Sequence, residues 1–371
     1  MPLPSPPPKA DWIEQRSELE RWLAELSSNG VLGLDTEFMR RNTFYPQLAL
    51  LQLGANERYA LVDPLAFDIG TALQPLDSTD VVTLMHSASE DLETLSPWLP
   101  EGPRVLFDTQ IAAAFVGMGL GISYRALVAE LVGVELDKGE TRSDWLQRPL
   151  TTSQRDYATL DVVYLETIHR QLAERLAQRG RGAWHAEDCD RLKRKSCPRE
   201  GDPQPQLAYR TAAEWPREQQ ALLRRILLWR DATARHLDKP RPWLLEDPAA
   251  LSIAQQMPRH LDELERRTAG QRALRSQQRA ELFELLQPKV TDEEIADTDP
   301  IPPYPQGKAK QALAAMKQCV DTLAAQLDLP PGLLCSRRLL EEFVVTAQWP
   351  EGLEGWRREV LHNHLTGLLP S

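Results

Sequence analysis

The sequence predicts an α/β N-terminal domain, a mixed sheet flanked by helices, followed by two all-α helical modules. Three observations carry this reading. In the first half, apolar runs of strand length alternate with stretches of helical periodicity. The earliest runs are separated by short turns and the later ones by helices, which suits a mixed sheet better than an all-parallel one. Beyond Glu214 only helical periodicity remains, and two stretches of it repeat each other.

Taken in order, residues 31–38, 48–53, 59–62, 81–85 and 104–107 read as strands, and 11–26, 90–98, 109–116, 123–132 and 153–178 as amphipathic helices. The pattern dissolves over 198–212, where Pro198-Arg-Glu-Gly-Asp-Pro-Gln-Pro-Gln206 marks a linker. A second break, 291–307, is acidic and Pro-rich. Leu237-Asp238-Lys239-Pro240 recurs as Leu327-Asp328-Leu329-Pro330, and Leu244 recurs as Leu334 at the same offset of 90. Met257-Pro258 with Leu261 returns as Trp349-Pro350 with Leu353 after a two-residue slip. The expected organisation is therefore 1–204 with its linker, a helical module over 205–290, an acidic linker over 291–307 and a second helical module over 308–371.

At 371 residues, 42% hydrophobic and 26% charged, the chain has material for more than one packed core. The opening Met1-Pro-Leu-Pro-Ser-Pro-Pro-Pro8 lacks an apolar signal region, and no stretch is apolar enough to span a bilayer. Cys189, Cys197, Cys319 and Cys335 show no C-x-x-C spacing and read as reduced thiols of a cytoplasmic protein, without a zinc site. The net charge of −11 is unevenly spread: 1–204 carries 21 basic against 31 acidic residues, 205–289 carries 15 against 11, and 308–371 balances at seven each. The middle segment is the electrostatic candidate for contact with a polyanion.

Asp35-Thr36-Glu37 ends the strongest strand pattern. Residues i and i+2 leave a strand on one face, so Asp35 and Glu37 point the same way. Adjacent carboxylates repel and are costly to desolvate unless a cation lies between them. His86-Ser-Ala-Ser-Glu-Asp91 follows another strand; Ser87 and Glu90 form a capping-box pattern that puts Asp91 in the first turn of a helix. His86 itself reads as a packed or hydrogen-bonded side chain. Tyr157 and Asp161 lie four apart, stacked on one helical face. Each piece alone is compatible with ordinary surface acids. Together they offer an oxygen-rich site for Mg²⁺ or Mn²⁺ of the kind two-cation phosphodiester hydrolysis requires.

Strand D-x-E, strand-to-helix Asp and helical Tyr-x-x-x-Asp resemble the three motifs of the DEDD exonucleases in their tyrosine variant. The resemblance narrows to the ribonuclease D family through Asp35-Thr-Glu-Phe-Met-Arg-Arg-Asn-Thr-Phe-Tyr-Pro-Gln-Leu-Ala-Leu-Leu-Gln-Leu53, His86-Ser-Ala-Ser-Glu-Asp-Leu92, Phe107-Asp-Thr-Gln110, Asp137-Lys-Gly-Glu-Thr-Arg-Ser-Asp-Trp145 and Arg148-Pro-Leu with Gln154, Tyr157 and Asp161. Ser-Ala after His86, where relatives often have Ala-Gly, touches no expected ligand. The resemblance implies a ribonuclease H-like sheet, tandem HRDC domains and two divalent cations, Mg or Mn. It also implies 3′→5′ trimming of transfer-RNA precursors and other small stable RNAs, with release of 5′-mononucleotides. Asp35, Glu37, Asp91 and Asp161 are then the metal ligands, Asp35 bridging and Glu37 also meeting the terminal ribose 3′-hydroxyl. Tyr157 orients the attacking water, a phenol of pKa near 10 being a poor base at neutral pH.

Further candidates for substrate contact are Phe38, Gln110, the Tyr45-Pro46-Gln47 segment, Lys138 and Arg142, and, in the first helical module, Arg224, Arg225 and Arg230 among its basic residues. A monomer is the expected state. Removal of 205–371 is expected to weaken binding of structured RNA more than trimming of a short single strand. Two alternatives stay open on the residues alone: a DNA exonuclease of the same superfamily, against which the lack of a P-loop motif counts, and a catalytically inactive RNA-binding adaptor.

Overall fold

A computed structural model describes residues 7–26, 30–137, 139–140, 143–196 and 201–370. The strand that carries Asp35 becomes the middle of a six-stranded mixed sheet of order β1-β4-β3-β2-β5-β6. The first part of the chain runs β1 (Asp11–Ile13), α1 (Arg16–Ala24), β2 (Gly30–Met39), β3 (Gln47–Ala55), β4 (Arg58–Val62), β5 (Val81–Met85), α2 (Ser89–Leu95), β6 (Val105–Asp108), α3 (Thr109–Phe115), α4 (Tyr124–Val132), α5 (Thr152–Val163), α6 (Leu165–Gln178) and α7 (Gly182–Ser196). β2–β3 and β3–β4 are antiparallel, as short turns require, while β2–β5, β5–β6 and β1–β4 are parallel.

The remainder is helical: α8 (Arg217–Leu237), α9 (Arg241–Leu244), α10 (Asp247–Gln255), α11 (Leu261–Arg267), α12 (Ser276–Leu286), α13 (Asp292–Ala296), α14 (Gly307–Gln326), α15 (Pro331–Leu334), α16 (Arg337–Thr346) and α17 (Trp356–Leu365). The 90-residue offset has a backbone counterpart. Asp238 and Asp328 both end a long helix with φ 49°, the left-handed conformation that Asp tolerates better than most residues. Pro240 and Pro330 then cap the four-residue helices α9 and α15.

Several expectations are corrected. The apolar pattern over 11–26 divides into strand β1 and helix α1, because Asp11–Ile13 pairs with Ala60–Val62. The stretch 153–178 breaks at Tyr164. Helix α7, and α13 inside the acidic break, were not read from the sequence; α13 is held by a capping box between Thr291 and Glu294. Ser87 does not cap α2. It has φ 60°, and the Asp108 carboxylate accepts the Ser87 and Ala88 N–H groups instead.

Each sheet face has its own core. One packs Leu34, Leu53 and Val62 under Leu19 and Trp22 of α1 and Leu92 of α2. On the other face Leu84 and Phe107 meet Ala112, Ile168 and Leu172, and the same cluster continues without interruption into Met316, Val320, Phe343, Trp356 and Leu361 of α14, α16 and α17. Arg357 locks this contact with a buried two-bond ion pair to Asp188 (2.5 and 2.7 Å), and Trp356 stacks on Trp184 at 4.6 Å. Helices α8, α10, α11 and α12 enclose a separate core around Leu223, Ile226, Ile253, Leu264 and Leu282. No helix among the described residues is long and apolar enough to cross a membrane.

Candidate metal centre

Strand alternation does what the D-x-E pattern requires. Leu34 and Thr36 are buried on one side of β2, while Asp35 and Glu37 leave on the other. The register then shifts: Glu37 pairs with Leu50 but Phe38 with Leu48, so Ala49 is an extra residue in β3. Bulges of this kind bend a strand and re-aim its side chains. This one is pinned by Arg148, which donates to Ala49 O at 2.6 Å while gripping Asp63 through two further bonds.

Asp161 arrives from α5. That helix starts at a capping box, Thr151 Oγ1 accepting from Gln154 N and Gln154 Oε1 from Thr151 N. It can lie close to the sheet because Gly33 and Gly54 are partners across β2 and β3. A Cβ on Gly54 would stand 3.2 Å from Val162 O, and one on Gly33 3.2 Å from Leu165 Cδ1. The paired glycines form a notch that receives the C-terminal end of α5. Carboxylate oxygens of Asp35, Glu37 and Asp161 come within 4.8 Å of one another.

Asp91 stands beside this triple rather than in it. Helix α2 delivers it buried, and the Thr36 hydroxyl donates to its Oδ1 at 2.5 Å. Thr36 is thus a site residue that the sequence reading passed over. An oxygen at its position between two acids was the available signal.

Desolvation raises every carboxyl here, and repulsion from neighbouring site acids adds to it at Asp35, Glu37 and Asp161. Glu37 is pushed up to about 9, Asp161 to about 8, and Asp35 well above the carboxylate range. Asp91 is raised less, to about 6, because the Thr36 hydrogen bond favours its charged form. Asp161 Oδ2 is buried with no hydrogen-bond partner. An orphaned carboxylate oxygen facing two more acids is what a hard cation would satisfy, and an all-oxygen donor set suits Mg²⁺ or Mn²⁺. The residues present therefore fit divalent metal.

Tyr157 lies one turn before Asp161, its ring 6.1 Å from that of Trp145. The backbone of Gly139 crosses its face so closely that a Cβ there would fall 1.8 Å from the ring. Burial and the neighbouring acids raise the Tyr157 phenol, so it stays protonated.

The other expected residues divide. Phe38 is partly buried beyond the bulge. Tyr45 is exposed at 47%, edge-on to Phe44, and Gln47 opens β3. Lys138 and Arg142 lie outside the described residues. Gln110 is turned inward, donating to Ile122 O at 3.0 Å. His86 is a hydrogen-bonded packing residue, bound to Thr109 Oγ1 and Ile122 O. Of the three arginines expected to meet phosphate, Arg225 and Arg230 are engaged inside the fold. Arg225 grips Glu294 and the carbonyls of Leu285 and Pro288, and buried Arg230 holds Leu245 O, Asp247 and the Tyr209 hydroxyl. Arg224 donates to Pro203 O.

The first helical segment touches the loop that continues the site's own strand. The loop after β2 inserts Phe44 among Ala234, Leu244 and Leu274, with the Arg235 and Arg241 guanidiniums 4.8 and 4.6 Å from its ring. Asp238 Oδ1 accepts from Phe44 N and Tyr45 N, and Arg40 links this loop to Glu93 of α2. A cavity of about 450 Å³ opens beside it, lined by Arg40, Phe44, Tyr209, Arg230 and Arg241. Their charges are met by Glu93, Asp247 and Asp231.

Comparison with known proteins is consistent with this geometry. Residues 10–177 match the family described as 3′–5′ exonuclease, and 219–286 match the HRDC domain. The chain is similar to a ribonuclease D of Xanthomonas oryzae pv. oryzae, 42% identical over 96% of this chain and 98% of that one. A ribonuclease D of Pseudomonas paraeruginosa is 34% identical over 98% of both. In structure it resembles Escherichia coli RNase D, an exoribonuclease involved in structured RNA processing, with TM-score 0.80, 27% identity and coverage of 97% and 98%.

Proposed function

The chain belongs to the ribonuclease D family and is a 3′→5′ exoribonuclease; on that premise we propose that it trims the 3′ ends of transfer-RNA precursors and other small structured RNAs, releasing 5′-mononucleotides. The observation that carries the reading is the convergence of Asp35, Glu37 and Asp161 with an unpartnered buried oxygen among them.

In this reading Asp35, Glu37, Asp91 and Asp161 would hold two divalent cations, Mg or Mn. When bound, such cations polarise phosphoryl oxygens and acidify water. The chain's own residues supply position. Asp35 and Glu37 project from a strand in the middle of the sheet, so their spacing is rigid. Glu37 meets the terminal ribose 3′-hydroxyl as an acceptor. Tyr157, kept protonated, orients the attacking water by hydrogen bonding and removes no proton itself. Phe38 and exposed Tyr45 offer faces on which an unpaired 3′-terminal base can stack. Lys138 and Arg142, close to Gly139 in sequence, stand as candidates for phosphate contact.

We read both helical segments as HRDC-like modules with different tasks. Support for the second copy is the shared left-handed Asp and Pro-capped short helix at an offset of 90 residues. The first, with its basic excess, faces the RNA body; the second is structural. The chain would work as a cytoplasmic monomer.

The test is a time course on a 3′-extended transfer RNA labelled at its 5′ end, with Mg²⁺, Mn²⁺ or EDTA, beside Asp35→Asn and a DNA strand of matching sequence. A ladder that shortens by one nucleotide at a time, absent in EDTA and in the variant, is the expected result. Tight RNA binding without shortening in either metal would replace this reading with that of an inactive RNA-binding adaptor. Preferential shortening of the DNA strand would make it a DNA exonuclease.

A further inference from the structure

In an uninterrupted helix the N–H of residue 164 donates to the carbonyl of residue 160. Here that link is broken between α5 and α6, and a side chain from elsewhere stands in the gap. The Tyr124 hydroxyl donates to Leu160 O at 3.1 Å and accepts from Tyr164 N at 3.3 Å. A polar side chain inserted in the hydrogen-bond ladder is a recognised cause of a helix bend. The insertion falls one residue before Asp161, at the end of α5 that enters the Gly33–Gly54 notch.

The tyrosine is itself held in place. It is the first residue of α4, capped by Ser123, whose hydroxyl accepts from Ala126 N. Its ring lies 5.6 Å from that of His86, and both nitrogens of His86 are engaged, by Thr109 Oγ1 at 2.9 Å and Ile122 O at 3.1 Å. The sequence motif around His86 thus acquires a structural purpose: it buttresses the residue that opens the helix.

We propose that Tyr124 is a positioning residue for Asp161, its hydroxyl holding α5 and α6 apart so that the Asp161 carboxylate is turned toward Asp35 and Glu37. The Tyr124 hydroxyl is bonded to the helix backbone at Leu160 O and Tyr164 N. It acts through the helix backbone, as outer residues that orient a ligand do. The proposal rests on the metal-centre reading above, so its test must separate the two.

Wild type, Tyr124→Phe, Tyr164→Phe and Asp161→Asn are titrated with Mn²⁺ by calorimetry in the absence of RNA, and kcat and KM are measured on a short 3′ single strand. Loss of an outer orienting group typically costs about 10–100-fold in metal affinity. Tyr124→Phe should therefore bind Mn²⁺ at least about 10-fold more weakly, with kcat reduced, KM little changed and activity partly recovered at high Mn²⁺. Tyr164→Phe removes a neighbouring phenol without touching the ladder and should behave as wild type. Unchanged Mn²⁺ affinity in folded Tyr124→Phe overturns the proposal, as does a rise in KM alone, which would make Tyr124 a substrate contact. Wild-type affinity in Asp161→Asn would instead overturn the metal-centre reading, and this proposal with it. If Tyr124→Phe is too unstable to titrate, Gly54→Ala disturbs the same bend from the sheet side. Undiminished Mn²⁺ affinity there also sinks the idea.

Discussion

Four acids crowded where water is scarce cannot all be charged at neutral pH without compensation, and this sets how the site behaves without metal. Glu37, Asp161 and Asp91 titrate at about 9, 8 and 6 against ordinary values of 4.5 and 3.8. The folded state holds these protons more tightly than the unfolded chain does. The stability they contribute is therefore complete below about pH 4 and is lost as pH rises through 6 to 9. In EDTA the Tm should fall between about pH 5 and pH 9, and saturating Mn²⁺ should flatten that fall because the ion takes the place of the protons. A Tm in EDTA that is flat or rising over this range would contradict the desolvated cluster. Asp161→Asn, which removes one charge and one ligand, should lower kcat by at least about 100-fold. It should also raise the Tm of the metal-free protein at high pH. That pairing of opposite effects is what a thermal scan beside an activity assay would check.

At the scale of elements, the site depends on how closely α5 can approach β2 and β3. Gly33→Val would drive a branched side chain into Leu165 and should cost about 1–3 kcal/mol, read by chemical denaturation. An unchanged denaturation midpoint would show that the helix can shift without penalty. The acids were legible in the sequence because strand and helix periodicities act locally: i and i+2 in β2, i and i+4 in α5. What was illegible depended on partners distant in the chain. Nothing within 11–13 announces pairing with 60–62, and the run 11–26 carried a helical pattern throughout. Ser87 and Glu90 made a sound capping box by spacing, but Asp108, from the next strand, took those N–H groups. The break at Tyr164 was hidden because its cause, Tyr124, lies 40 residues away. The Arg-rich face of α8 looked like a phosphate surface, yet two of its expected contacts are consumed by Glu294 and Asp247.

For the whole molecule, the two helical segments join the nuclease domain differently. The first grips one loop. Asp238→Ala would leave Phe44 N and Tyr45 N without their acceptor at the end of the catalytic strand. We expect kcat/KM to fall on a short single strand as well as on structured RNA, because the loop continues β2. A loss confined to structured RNA would mean that the contact serves RNA binding alone. The second segment shares a core with α3 and α6, and Asp188 with Arg357 lies buried across the junction. Asp188→Ala strands a buried guanidinium and should cost about 3–5 kcal/mol, whereas replacing both residues by apolar ones of similar volume should cost much less. Deleting 205–371 would uncover this apolar face as well as remove the proposed RNA contacts. Its effect on trimming a short strand would then report on folding, and substitutions at the Asp238 loop isolate the first segment better.

That shared core also imposes an order of events on synthesis. The apolar cluster that holds Ala112–Val116, Leu172 and Leu176 is completed by residues from 312 onward. At about 5–20 residues per second, a ribosome that has finished α7 takes about 10–30 s more to deliver α17. Through that interval the nascent nuclease carries all its acids while its shared apolar core is still incomplete.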